Sequence, residues 1–166
     1  MNKEEILKYV GFDLDKAKQI YAWLHADCEQ APTPSLPNEA VSIVEQDGKK
    51  LVRVDVGNKY HFGIDLHDAP NEMSWDDAKK YAEDKGMRLF TLEEGLLMFC
   101  FKDEINAKLK EAGGDELRED DYYWSSTESC RTNARFVYFG SGSALNTGYK
   151  YFGNVVRPVA AFTCVS

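Results

Sequence analysis

The order of the local folding signals constrains this 166-residue chain more than any other feature of its sequence. Two helix-start signals, Ser74-Trp-Asp-Asp77 and Thr91-Leu-Glu-Glu94, stand near its middle, each with a capping hydroxyl and an acid three residues later. Strand-like segments precede and follow this helical block. An order of strands, helices and then strands favours an α+β domain whose elements are segregated along the chain.

The individual elements are predicted from turn and cap residues. Asp-Gly and Gly-Asn pairs at 47–48 and 57–58 separate three β-branched segments, so we expect a β-meander over 40–45, 51–56 and 59–64. Gly86 and Gly113 stand where helices should end. The sequence therefore predicts helices over about 75–85, 92–100 and 102–112, and later strands over 134–139, 144–151 and 155–162.

The first 38 residues are predicted to form a helical appendage and a connector. Apolar residues recur at helical spacing over 13–28, and the proline-rich segment 31–37 would end such a helix. The length of the remainder suits one domain. We therefore expect residues 1–38 to precede a single domain of residues 39–166.

Charge and hydropathy exclude several classes of function. The net charge of −8 disfavours a nucleic-acid partner, which needs clustered Lys and Arg. No apolar run approaches the roughly 20 residues that cross a bilayer, and the N-terminus lacks a secretory signal. We expect a protein made in the cytoplasm and not inserted into a membrane.

The cysteines and histidines show no metal-ligand spacing, so no metal and no cofactor is predicted. The cysteines are expected to be buried thiols and not disulfides. The residues concerned are Cys28, Cys100, Cys130 and Cys164, with His25, His61 and His67.

The composition changes sharply near residue 122. Residues 1–121 hold 27 acidic and 16 basic side chains, whereas residues 122–166 hold one acid, Glu128, and four bases. Tyr, Ser, Gly and Asn make up 17 of the 33 residues from 122 to 154, against 20 of the preceding 121. This mixture is typical of antibody paratopes, and also of exposed β-structure, so composition alone leaves both interpretations open.

One further bias concerns codons. Residues 129–155 include one Lys and no Glu, Gln, Met or Trp. These five residue types are the ones that an Asn codon cannot reach when its adenines are randomised. The bias is compatible with a region diversified by adenine-directed mutagenesis.

Several motifs resemble the C-type-lectin-like domains of gut bacteria and their phages. Tyr123-Trp-Ser-Ser-Thr-Glu128, Asn133-Ala134, the Phe-Val-Tyr-Phe strand at 136–139, and Val156-Arg-Pro-Val159 before Phe162 resemble the C-terminal signature. Upstream, Trp75, Ala78, Tyr81, Ala82, Gly86, Leu89, Thr91 and Glu94 are similar to the two-helix part. The resemblance covers about residues 60–162. Arg135 departs from the usual Trp and Phe90 from the usual Pro, and the calcium-lectin motifs EPN, QPD and WND are absent.

The family includes variable proteins of diversity-generating retroelements and phage tropism determinants. The resemblance implies a non-enzymatic recognition module that displays residues 122–155 to a cell-surface protein or glycan. Trp124, Val156, Val159 and Phe162 are expected to be framework, and Arg157 is expected to hold loops. With Val137 and Phe139 pointing inward, the expected ligand-binding residues are Arg131, Thr132, Phe136, Tyr138, Ser141, Ser143, Leu145, Thr147, Tyr149, Tyr151 and Phe152.

Two alternatives remain open at the level of sequence. The first is a virion structural or assembly protein in which the same region packs against another subunit, as a homo-oligomer or in a larger virion assembly. The second is an oxidase of the formylglycine-generating type, for which Cys130 and Cys164 are the local cysteine candidates.

Overall fold

A computed structural model of the protein describes residues 40–56, 59–143 and 147–162. The helix predicted over 13–28 and the connector at 31–37 lie outside the described residues. So do Cys28, Leu145 and Cys164.

The described residues form an α+β structure with three helices and two antiparallel sheets, as the order of local signals predicts. The five-stranded sheet has the order β1-β2-β3-β8-β4, and the smaller sheet has the order β5-β6-β7. The helices are α1 (Trp75–Asp84), α2 (Leu92–Cys100) and α3 (Lys102–Ala112). The strands are β1 (Val41–Gln46), β2 (Lys49–Val56), β3 (Tyr60–Asp65), β4 (Arg88–Leu89), β5 (Tyr122–Cys130), β6 (Asn133–Tyr138), β7 (Thr147–Tyr149) and β8 (Pro158–Ala161).

The predicted turn and cap signals at Asp47-Gly48, Thr91 and Gly113 act as expected, while the Gly57-Asn58 turn lies outside the described residues. Asp47 and Gly48 have φ values of 51° and 73°, the left-handed conformations of the tight turn that joins β1 to β2. Thr91 and Glu94 form a complete capping box at the start of α2. Gly113, with φ of 83°, ends α3. Local chemistry thus determines where these elements begin and end.

The main core lies between the five-stranded sheet and helices α2 and α3. Phe62 and Ile64 of β3 pack there with Leu97 and Ile105 of the helices, all essentially inaccessible to solvent. A second cluster joins α1 to the small sheet and includes Trp75, Ala78, Trp124, Ala134 and Val156. The small sheet is therefore packed against α1.

Arg157 links three segments of the chain from a fully buried position. Its Nε donates to the Asp68 carboxylate at 2.6 Å, and its guanidinium also donates to the backbone oxygens of Asp65, Leu66 and Asp115. Because none of its surface is exposed, it cannot reach a ligand. The expectation that Arg157 holds loops is confirmed.

Two strands were not predicted, and two are shorter than predicted. β4 has only two residues, which is too short for a periodic signal, and β5 contains register shifts after Trp124 and after Glu128 that break its alternation. In the described part of the predicted strand 144–151, only the three residues of β7 are in a strand. Of the predicted strand 155–162, only the four residues of β8 are. No helix in the described ranges is long and apolar enough to cross a membrane.

Candidate ligand-binding surface

The segment from the last residue of β7 to Asn154 is held in place by its main chain. The Lys150 carbonyl accepts from Trp75 N at 2.8 Å, and Lys150 N donates to the Thr132 carbonyl at 3.0 Å. Met73 and Asn154 exchange two backbone hydrogen bonds of 3.2 Å each. None of these bonds uses a side chain of the segment. Residues 149–152 are thus positioned through backbone groups that every residue type except proline carries.

Three aromatic rings on this segment form an exposed group, which we call the aromatic cluster: Tyr149, Tyr151 and Phe152. Tyr149 stacks on Tyr151 with ring centroids 5.3 Å apart and planes inclined by 16°. Phe152 contacts both rings, at 5.8 and 4.7 Å. Their exposed fractions are 48%, 71% and 51% respectively, so the cluster presents a large apolar area with phenolic edges to solvent.

Gly148 brings β7 close to the framework. A Cβ at this position would lie 3.1 Å from the Phe136 ring and 3.4 Å from the Trp124 ring. The absence of a side chain therefore lets β7 approach these aromatic residues closely. Trp124 is fully buried, and its indole N–H donates to the Met73 carbonyl, which confirms its expected framework role.

A second aromatic group includes a residue that the sequence interpretation missed. Tyr122 of β5 pairs with Tyr138 of β6 across the small sheet. Its ring lies 4.9 Å from Phe136 and 5.2 Å from Tyr138, and 45% of Tyr122 is exposed. Phe136 and Tyr138, predicted to point outward, are half-buried and not fully exposed, and the Tyr122 ring covers part of each. The cross-strand pairing that identifies Tyr122 depends on the unpredicted strand β5.

Behind this group the other face of the small sheet belongs to the core. Val137 and Phe139 are fully buried, as expected from strand periodicity. Tyr123 is buried too, and its hydroxyl donates to Asp68 and accepts from Arg118 N. Burial, followed by the negative charge of Asp68, raises the pKa of Tyr123 above its usual range. This phenol therefore serves the framework as a neutral hydrogen-bonding group.

The turn between β5 and β6 carries polar candidates and one incorrect prediction. Arg131 and Thr132 are exposed, as a ligand-binding role requires. Cys130 is exposed too, so the expectation that it is buried is wrong, whereas Cys100 is buried as expected. The Cys130 Sγ lies 3.5 Å from the Thr132 hydroxyl, and this contact is the main reason that the pKa of the thiol is below its usual value. No disulfide joins cysteines within the described residues.

The side chain of Lys150, which lies between the aromatic residues in sequence, contacts charged and aromatic side chains of the framework. The ammonium of Lys150 lies 4.2 Å from the Trp75 ring centroid and 2.6 Å from the Glu128 carboxylate. The hydrogen bond from Lys150 holds the pKa of Glu128 below its usual value. Lys79 lies 4.6 Å from the same indole ring. The side chain of Lys150 is thus engaged with framework while its neighbours in sequence extend into solvent.

The remaining predicted residues are placed as follows. Ser141 and Thr147 are exposed and Ser143 is half-buried, with its carbonyl accepting from Tyr138 N. Leu145 cannot be placed because it lies outside the described residues. The structure brings Tyr149, Tyr151 and Phe152 into direct contact, and separately brings Phe136 and Tyr138 each into contact with Tyr122.

The potential metal ligands of the described residues form no candidate metal site. Within residues 40–56, 59–143 and 147–162, no three His, Cys, Asp or Glu side chains come together as a metal-binding group. His61 and His67 each contact a single aspartate, Asp55 and Asp115. The proposed cysteine pair of an oxidase cannot be assessed, since Cys164 lies outside the described residues.

A scan against protein-family models finds no match to the chain, and a search of curated proteins finds no match either.

Proposed function

We propose that the protein is a non-enzymatic recognition module with a C-type-lectin-like fold. It binds a cell-surface protein or glycan through residues 131–152, with the aromatic cluster as its principal contact. The observation that carries the proposal is that a solvent-exposed group of three rings stands on a segment anchored by main-chain hydrogen bonds. Exposed apolar groups of this kind are typical of interaction sites.

The anchoring also supports a variable surface. A segment that is held through backbone atoms keeps its position when its side chains change, so Tyr149, Tyr151 and Phe152 can be replaced without loss of those bonds. We propose that residues 129–155 are open to diversification by a retroelement. Neighbouring DNA should then contain a reverse transcriptase gene and a near-copy of this coding segment that differs at adenines.

The burial of the signature residues supports the proposed fold. Trp124, Val156, Arg157 and Val159 are all fully buried, whereas Phe162 is half-buried, and β8 joins β3 to β4 in one sheet. These residues of the motif therefore act as framework, while the residues between Trp124 and Val156 include the exposed rings. Such a division between framework and surface is what a recognition module needs.

The charge of the surface favours a neutral or acidic ligand. Arg131 is exposed, and Lys150 offsets the single acid of the region, Glu128. The protein elsewhere is strongly acidic, so a basic partner would be drawn to other surfaces. Tyrosine and phenylalanine rings can stack on sugar faces or pack against apolar protein side chains.

A binding array of glycans and cell-surface proteins tests the proposal. The parent protein is compared with a variant carrying Tyr149→Ala, Tyr151→Ala and Phe152→Ala. The matched control is Lys50→Ala, an exposed change in β2 of the other sheet. We expect the parent and the control to bind the same ligand, and the triple variant to lose that binding while its melting temperature changes little.

Each of the other outcomes has a defined meaning. Binding by the triple variant at the parent's level contradicts the proposal. If instead the parent binds no array member but self-associates through the cluster in sedimentation, an assembly role replaces recognition of a cell surface.

A further inference from the structure

A small cavity lies between α1, β4 and β5, apart from the aromatic cluster. Its volume is about 150 Å³, and it is lined by Lys79, Glu83, Arg88, Leu89, Thr91 and Ser126. Liquid water occupies roughly 30 Å³ per molecule, so the cavity has room for about five waters or one small organic group. Nothing in the proposed function uses this cavity.

One cation of the cavity lining, Lys79, forms no close ion pair within the described residues, although its charge acts on the more distant Glu128 carboxylate. The ammonium of half-buried Lys79 lies over the Trp75 ring and forms no ion pair with any described residue. Arg88, by contrast, makes two 2.7 Å bonds to both carboxylate oxygens of Glu94. Glu83 is exposed, so water screens its charge. Lys79 is therefore the lining cation whose ammonium is open to a bound anion.

Two hydroxyls add hydrogen-bond donors to this cation. The Thr91 oxygen accepts from Glu94 N, which leaves its proton available for donation. The Ser126 hydroxyl has no hydrogen-bond partner among the described residues. Leu89 adds an apolar wall that is almost completely buried. An ammonium, two O–H donors and an apolar wall together suit an anion with a short carbon skeleton.

We propose that this cavity binds a small carboxylate, either a free acid or the carboxyl group of an acidic sugar. A carboxylate carries one negative charge, which matches the single ammonium of Lys79, whereas a phosphate ester carries nearly two at neutral pH. Its two oxygens accept from Lys79 and from the hydroxyls, and its carbon skeleton packs against Leu89. This inference concerns a second site and does not depend on the aromatic cluster.

Nuclear magnetic resonance of the ¹⁵N-labelled protein tests the proposal directly. Three probes are titrated separately at constant ionic strength: sodium propionate, methyl β-glucuronide and methyl β-glucoside. We expect saturable shifts at the backbone amides of Leu89, Thr91 and Ser126 with at least one of the two acids. The uncharged glucoside should produce none.

Two variants separate charge from structure. Lys79→Met keeps an apolar stem over the Trp75 ring but removes the cation, so affinity for the bound acid should fall at least about tenfold. Glu83→Gln is the matched control on the same helix, and its affinity should equal or exceed that of the parent. The spectrum of each variant reports whether it is folded. If Lys79→Met does not fold, Lys79→Gln is used in its place.

The outcomes identify the source of the carboxylate or overturn the site. Propionate binding as tightly as the glucuronide indicates a free acid, and tighter glucuronide binding indicates an acidic sugar. Equal binding of glucuronide and glucoside, or an unchanged affinity in folded Lys79 variants, overturns the proposal. So does the absence of saturable shifts at the three amides. Ligand contact with the aromatic cluster would shift the backbone amides of Tyr151 and Phe152, and can therefore be distinguished from binding in the cavity.

Discussion

Removal of the Arg157 guanidinium should destabilise the protein more than most single changes. In Arg157→Met, the apolar part of the side chain is largely retained while the charge and every donor are lost. The change leaves the carboxylate of Asp68, whose side chain is 5% exposed, without its 2.6 Å partner. The backbone oxygens of Asp65 and Asp115 lose donors too.

The magnitude follows from burial. Breaking a buried ion pair by removing one partner costs about 3–5 kcal/mol, because the remaining charge stays desolvated. Two contacts limit the loss, since Tyr123 donates to Asp68 and Arg118 lies 3.3 Å from it. We therefore expect the free energy of unfolding to fall by about 4 kcal/mol. A loss of this size is a large share of the total stability of a typical domain, about 5–15 kcal/mol.

Urea unfolding of four proteins measures this effect: the parent, Arg157→Met, Asp68→Asn and the double variant. Asp68→Asn removes the charge that Arg157→Met leaves unpaired. The double variant should therefore lose at least about 1 kcal/mol less unfolding free energy than the sum of the two single losses. Arg131→Met is the exposed control and should change stability by no more than about 0.5 kcal/mol. A loss below about 1 kcal/mol in Arg157→Met, or full additivity in the double variant, would refute the reasoning.

Three further predictions concern other parts of the structure. Gly142→Ala should lose more stability in urea unfolding than Gly48→Ala, because both have positive φ but only Gly142 has a phenylalanine ring 2.4 Å from the added Cβ; equal losses would show that backbone strain alone matters. Trp124→Ala should lower the free energy of unfolding by about 3–5 kcal/mol and Tyr151→Ala by at most about 0.5 kcal/mol. Similar losses from Trp124→Ala and Tyr151→Ala would mean that core and surface residues have been wrongly assigned. In a protein with its other cysteines replaced by Ser, Cys130 should be alkylated by iodoacetamide at a lower pH than a peptide cysteine, since its lowered pKa gives more thiolate; a midpoint at or above that of the peptide would contradict this.

Sequence signals predicted the elements whose boundaries are determined by neighbouring residues. The Asp47-Gly48 turn and the capping box of Thr91 and Glu94 are local chemistry, and the structure has both. Strand β5 lacks such a signal. Its residues 125–127 leave the regular pairing, and Ser126 N and the Thr127 hydroxyl instead bond to Phe90 and Leu92. That arrangement depends on tertiary contacts between β5 and the helical block.

The candidate surface was predictable in composition but not in geometry. Enrichment in Tyr, Ser, Gly and Asn indicated the region, and Tyr149, Tyr151 and Phe152 are exposed within it. That these three rings touch depends on the turn after β7, which no local motif encodes. Tyr122 was missed because its role follows from pairing across the sheet.

The cavity beside Lys79 had no sequence signal. Its lining combines five residues between 79 and 91, from a helix, a two-residue strand and a cap, with Ser126 of the bulged strand β5, and only the tertiary fold brings Ser126 to them. The exposure of Cys130 was missed for a related reason. General burial statistics favour buried cysteines, whereas this residue ends β5 beside the exposed turn to β6.

We propose that the exposed side chains of the aromatic cluster can be replaced by other residue types without loss of the fold that carries them. The most direct test is the fraction of folded protein, measured by protease resistance, in two libraries. One randomises Tyr149, Tyr151 and Phe152, and the other randomises the buried residues Tyr123, Trp124 and Val137. Since surface changes cost at most about 0.5 kcal/mol each and core truncations several times more, most members of the first library should stay folded and most of the second should not. Equal losses of folded protein in the two libraries would contradict the claim.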